Sequence, residues 1–212
     1  PPSPDQILEP SPFQLMIRRV FGHAGMTFGG GVLILIFAAA LFAPILASHD
    51  PYTQDLTKRF LDPFWGVTGS WEHPLGTDKF GRDYLSRMLF GARTSLLIGF
   101  SAMLISGILG TALGVAAGYF GGRVDIVITF IITTRLAMPV ILVALVVVAL
   151  IGSSLTIVIW VLGLLIWDRF AVVMRAATQQ ARSMDYVAAA KALGCSTFRI
   201  VLTEIMPNVA NA

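Results

Sequence analysis

The sequence predicts an all-α integral membrane protein, on three observations. Of its 212 residues 56% are hydrophobic and only 13% charged, about half the charged share of a soluble domain. The mean hydropathy is +0.78. Long stretches carry no formal charge at all, such as that from Val20 to His49. This composition excludes a disordered chain and a nucleic-acid reader. The single Cys195 excludes an internal disulfide framework and points to no zinc motif. The net charge of +3 is of the kind that basic inner loops give a membrane protein.

A bilayer crossing needs about 20 largely apolar residues. Residues 27–47 meet that requirement, and the stretch exceeds the 7–15 apolar residues of a cleaved signal sequence, so it reads as a retained first span. A second span covers 94–118, within the charge-free run from Thr94 to Gly122. Between Asp125 and Asp168 the only charge is Arg135. That stretch is too long for one helix, and Gly152-Ser153-Ser154 breaks it into spans at 126–151 and 155–170. The organisation expected is a tail and interfacial helix at 1–26, the first span, an outer segment at 48–93, and a core domain at 94–212. Basic residues favour an N-terminus on the cytoplasmic side, because the segments this places inside hold Arg18, Arg19, Arg123, Arg169, Arg175, Arg182, Lys191 and Arg199.

The first dozen residues contain five prolines and read as a flexible tail. Phe13, Met16, Ile17, Val20 and Phe21 then recur at helical spacing. They fit either an amphipathic helix lying in the interface or an extension of the first span. Along the second span Ala102, Ser106, Gly110, Gly114 and Gly118 fall four apart, a ridge of small residues that lets another helix come close. The third span holds Thr133, Thr134, Arg135 and Pro139. Arg135 either faces a wet interior, as costly intramembrane charges do, or sits at the inner interface, and Pro139 is expected to kink the helix. The spans contain no histidine, so their serines lack a base for nucleophilic chemistry, and no GxxxxGK[ST] loop is present to bind ATP.

Beyond the fourth span a basic stretch at 182–208 reads as helix, glycine turn, helix. Asp185 opens the first helix, where a carboxylate suits the N-terminal dipole. Tyr186, Ala189, Ala190 and Leu193 are expected on one face, Gly194 is a natural C-terminal stop, and Ser196 caps the second helix.

These residues carry a resemblance. DYVAAAKALGCSTFRIVLTEIMPN, from Asp185 to Asn208, resembles the EAA loop of bacterial ABC-importer permeases. HPLGTDKFGRDYLSRMLFGARTSL, from His73 to Leu96, is similar to the segment before the second span in the second permease of dipeptide, oligopeptide and nickel importers. GYFGGRVD and the Arg135–Pro139 run fit the same family, in order, from about Phe13 onward. Two departures stand out: Ala188 where the EAA loop has its leading glutamate, and Thr133 where relatives often carry an acid. The family has six spans and four are read here, so two C-terminal spans are expected to be missing.

The resemblance implies a type I ABC-importer transmembrane fold and a non-catalytic subunit of an ATP-hydrolysing translocase in the bacterial inner membrane. It implies a second homologous permease, two cytoplasmic ATPases and an extracytoplasmic substrate-binding protein as partners. No cofactor would sit in this chain, since ATP and Mg2+ would be held by the ATPases. Asp185, Tyr186, Ala189, Ala190, Leu193 and Gly194 would couple to an ATPase. Read from the residues alone, Thr133, Thr134, Arg135 and Pro139 are the candidates for the pathway, with Arg135 left open between a wet interior and the inner interface. Substrates expected are dipeptides or oligopeptides, with nickel or other small solutes as the alternative. An ion-coupled carrier or channel is the rival reading, since composition alone fits it.

In the outer segment Gly76, Thr77, Asp78, Gly81, Arg82 and Asp83 form a turn-rich cluster. It reads as a periplasmic element near the mouth of the pathway or the binding-protein dock, or as a purely structural one in which Arg82 and Arg87 are satisfied by Asp78 and Asp83. His73 is read as having no companion ligands and is expected to be structural. His23 and His49 flank a span and are expected at the interface.

Overall fold

The computed structural model describes residues 22–209, so the proline-rich tail and the helix expected at Phe13–Phe21 lie outside the described residues. Among those described the fold is all-α, with one isolated bridge between Thr77 and Asp83 in place of any sheet. Three helices are long and apolar enough to cross a membrane, or four if a bent pair counts as one. The chain forms two compact units, divided at Leu96/Leu97.

In the first unit, α1 (Ala24–Leu41) buries only Ala40. Leu33, Ile34, Leu35 and Phe37 are all more than half exposed. A helix apolar all round and largely exposed among the described residues is suited to lipid. A four-residue turn, α2 (Ala43–Leu46), follows with Pro44 in its first turn, where a missing N–H costs nothing.

Residues 48–83 form an irregular but tightly bonded segment. A short 3-10 turn, Leu56–Lys58, is capped by Asp55, whose carboxylate accepts the Thr57 N–H at 3.0 Å. The Thr77 hydroxyl accepts the Leu61 N–H at 3.0 Å and donates to the Lys58 carbonyl at 2.5 Å. Gly81 sits at φ +72°, and a Cβ there would collide with the Asp55 carbonyl. Only glycine fulfils both demands.

The long helix α3 (Tyr84–Phe120) has 37 residues, about 55 Å at the usual rise, well beyond a hydrocarbon core of about 30 Å. In the second unit its small-residue ridge meets α7 (Trp167–Arg182). A Cβ on Gly110 would strike the Trp167 carbonyl; one on Gly114 would lie 2.5 Å from the Ala171 carbonyl oxygen, and one on Gly118 2.7 Å from that of Arg175. The buried Ser106 hydroxyl donates to the Gly163 carbonyl at 2.7 Å in α6 (Leu155–Leu165). The ridge is therefore a backbone-to-backbone contact, the geometry small residues permit in membranes.

The span read as continuous over 126–151 is instead broken. Helices α4 (Gly122–Ala137) and α5 (Val140–Ile151) meet at 82°. The cause is local: Met138 precedes a proline and is extended, at φ −92° and ψ 126°, the conformation that a following proline ring enforces. Pro139 itself offers no N–H to continue the ladder. The helical run opening at Leu155 also continues past 170, reaching Arg182 with one interruption at Ile166.

After α7 come α8 (Asp185–Ala192) and a last helix formed by Thr197–Arg199, Ile200–Ile205 and Met206–Val209. Its central six residues are π-wound. Val187, Ile200, Ile205 and Val209, each at most 3% exposed, pack with Tyr119 and Ala181 into one cluster. Beside it Met103, Ile108, Phe170, Phe198 and Val201 line an open apolar groove of about 920 Å³.

Candidate functional site

The helix at Asp185 is short, held on one side and otherwise outward-facing. Val187 is completely buried in the cluster just described, and Ala190 packs against the same cluster. Tyr186 is 38% exposed, Leu193 83% exposed, and Ala188, Ala189 and Lys191 are also exposed. The four residues expected on one face are therefore split: Ala190 turns inward beside Val187 while Tyr186, Ala189 and Leu193 face out. Val187 is not among the residues that the helical spacing singles out, and its only signal in the sequence is an apolar side chain beside the alanines.

The stop after α8 is built as its residues predict. Leu193 N donates to the Ala189 carbonyl at 3.0 Å and Cys195 N to that of Ala190 at 3.1 Å. Gly194 takes φ +75°, which L side chains avoid. Ser196 then caps the next helix, accepting the Arg199 N–H at 3.4 Å. The Lys191 ammonium lies 5.3 Å from the Tyr119 ring centre, adding a cation–π contact between α8 and the end of α3.

Asp125 and Arg175 make a two-pronged ion pair, at 2.5 and 2.7 Å, joining the start of α4 to α7. In the sequence Asp125 is only the end of the GYFGGRVD block and Arg175 only a positive charge. Their pairing depends on two helices coming together and has no local signature.

Arg135 is 9% exposed. It donates to the Met138 carbonyl at 3.2 Å and to the Leu165 carbonyl. Both acceptors sit where a helix stops, α4 in one case and α6 in the other. A guanidinium there meets unsatisfied carbonyls and the negative end of the helix dipole. Thr133 and Thr134 are exposed, the Thr133 hydroxyl turned back on the Thr129 carbonyl at 2.9 Å, and Pro139 is exposed at the bend.

In the outer segment the arginines do not divide between the two aspartates as expected. Arg82 and Arg87 both bond Asp78, and Asp83 takes the His73 Nδ1 at 3.0 Å and the Ser86 N–H at 2.7 Å. The reason is the turn at Gly81, which reverses the chain so that Asp78 lies under the start of α3 while Asp83 faces back toward His73. Burial pushes the Asp78 carboxyl up, but bonds from the Arg82 side chain and from the Arg82 and Phe80 backbone outweigh it. The result is a pKa of about 2 against an ordinary 3.8. Such a group stabilises the fold fully above pH 3.8 and loses that contribution as pH falls through 2. The thermal midpoint of the protein in detergent should therefore fall between pH 4 and 2, and Asp78→Asn should lower the midpoint at pH 7 while flattening this acid limb. Removing one partner of such a network costs on the order of 3 kcal/mol.

His73 is also not alone: the fold brings His49 beside it, ring centres 4.5 Å apart, with Glu72 adjacent. The expectation of a histidine without companions fails on two counts: Glu72 is its neighbour in the chain, and the fold brings His49 in from a distance.

Apolar helices able to cross a bilayer, close-packed through small residues, with a bent pair and a short helix beyond them, describe a multi-pass all-α membrane protein. Residues 110–212 match the family described as binding-protein-dependent transport system inner membrane component, and residues 11–63 match the N-terminal TM domain of oligopeptide transport permease C. The di/tripeptide transport system permease protein DppC of Pseudomonas aeruginosa (strain UCBPP-PA14) is 34% identical over 208 residues, covering 98% of this chain and 69% of the relative. The dipeptide transport system permease proteins DppC of Bacillus subtilis (strain 168) and Haemophilus influenzae are 35% and 36% identical, over 85% and 84% of this chain. The chain spans 55% and 61% of the length of those two relatives. It belongs to the DppC/OppC-like family of inner-membrane permeases of peptide ABC importers. This membership leaves the ion-coupled carrier without support.

Proposed function

We propose that this chain forms part of the membrane pathway of an ATP-driven importer of small peptides. It pairs with a second homologous permease, receives substrate from an extracytoplasmic binding protein, and is driven by two cytoplasmic ATPases. The N-terminus is cytoplasmic, which places residues 48–83 outside and α8 inside. The observation that carries the reading is α8 itself: an exposed helix of eight residues, held to the membrane domain by Val187 and closed by the Gly194 turn. A partner that grips Tyr186, Ala189 and Leu193 and moves would displace the Val187–Ile205 cluster with it. Differential contacts of this kind shift a protein between two conformations. Thr133, Thr134 and Pro139 flank the bend and line the path, with Arg135 supporting the bend from behind. The cluster at Gly76, Thr77, Asp78, Gly81, Arg82 and Asp83 braces the outer mouth. The substrate class follows the relatives, whose names specify dipeptides and tripeptides.

The test is to express the gene product with its chromosomal neighbours, purify it in mild detergent, and assay for co-eluting proteins and ATP hydrolysis. Two ATPases and a second permease are expected. Gly194→Pro removes a bonded N–H and imposes an incompatible φ. It should lower peptide-stimulated hydrolysis by about 5- to 150-fold, the span of ordinary coupling free energies. A chain that elutes without an ATPase would overturn the reading.

A further inference from the structure

We propose that His49, Glu72 and His73 form a binding site for a divalent late transition metal, of the kind zinc or nickel represents. The chain has three histidines, and two of them meet here although they are far apart in sequence. One ligand atom from each of the three residues lies within 4.8 Å of the others. Ligand atoms held at about 2.1 Å around a tetrahedral ion lie about 3.4 Å apart, so about 1.5 Å of closure completes the site.

The surroundings already orient the ligands. Asp83, 2% exposed, holds His73 Nδ1 at 3.0 Å and the Ser86 N–H at 2.7 Å. A carboxylate only accepts, so Nδ1 carries the proton and Nε2 keeps its lone pair for a metal. A carboxylate behind a ligating imidazole is the usual support of a histidine–metal bond. His49 is fixed from the same element, its backbone N–H donating to the Ser86 hydroxyl at 3.3 Å. Its Nδ1 is engaged by Ser48 at 3.1 Å, which leaves Nε2 as its donor. Glu72 gives one oxygen to Lys58 at 2.5 Å and retains the second. Two imidazoles and one carboxylate select zinc, nickel, cobalt or copper over magnesium and calcium, which prefer all-oxygen shells. Three protein ligands leave a fourth position open. An ion there would tie the exit of the first apolar helix to the segment leading into α3, a clasp that does not depend on the transport reading.

The test is a zinc titration of the full chain in detergent, without a histidine tag, against a chromophoric chelator. Cobalt absorption reports the coordination geometry. One equivalent of zinc is expected, with a rise in the thermal midpoint, as any ligand of the folded state produces. Glu72→Gln and His49→Ala should each weaken binding by at least about 10- to 100-fold, and His23→Ala should leave it unchanged. Glu72 is exposed, so Glu72→Gln decides the matter even if a histidine variant folds poorly. Absence of a zinc equivalent, or binding that survives Glu72→Gln and His49→Ala, would overturn the proposal, as would binding lost in His23→Ala.

Discussion

Replacing Gly114 with leucine should force α3 and α7 apart and leave a protein that is extracted poorly or unfolds at markedly lower temperature in detergent. A single Cβ at this position already lies 2.5 Å from the Ala171 carbonyl oxygen and 2.9 Å from the Met174 side chain. Neither can yield easily: the first is helix backbone, and Ala171 is fully buried against Ala117 and Trp167. Overpacking of this type costs about 1–3 kcal/mol, and a collision with backbone on a tightly fitted helix pair belongs at the upper end. Gly114→Ala should show a smaller loss in the same direction. Leucine at Gly99, which has open space around it, is the control and should leave the midpoint nearly unchanged. Equal effects at the two positions would show that the ridge is not the determining contact.

Removing the guanidinium of Arg135 should have a comparable effect through a different mechanism. Arg135→Leu keeps much of the bulk but abandons the Met138 and Leu165 carbonyls, both at helix ends. A hydrogen bond from a charged donor contributes about 1.5–3 kcal/mol, so the loss is expected to reach about 3 kcal/mol, with local opening at the bend. Thermal midpoint reports the first quantity. Thiol labelling of Met138→Cys, in the presence and absence of Arg135→Leu, reports the second and should accelerate. Arg135→Lys should recover only part, because one ammonium lacks the spread of the guanidinium fork. Unchanged labelling with a lowered midpoint would assign Arg135 a general packing role instead of support of the bend.

Much of the fold is legible in the sequence. The charge-free runs place the membrane helices because hydrophobic length is a one-dimensional property. Gly194 and Ser196 announce the end of one helix and the start of the next, since caps are decided by neighbours within a few residues. The four-residue spacing of Ser106, Gly110, Gly114 and Gly118 announces a close helix contact without naming its partner. Pro139 marks a distortion, but its size, 82°, exceeds a kink because Met138 also leaves the helical conformation.

The site was less legible. Residues of α8 could be named, yet which of them anchor and which face out depends on where the Tyr119–Ile205 cluster lies, and Val187 shows this most plainly. The Asp125–Arg175 pair, the two carbonyls under Arg135 and the sharing of Asp78 by two arginines all join separate elements. So does the meeting of His49 with His73. By itself the sequence determined the all-α membrane class and the local stops of this protein, because hydropathy, capping and proline act along the chain itself. Only the tertiary structure decided the charge pairs, the helix seam and the histidine cluster. Electrostatic and packing partners are set by distance in space, and nothing in the spacing of residues along the chain encodes it.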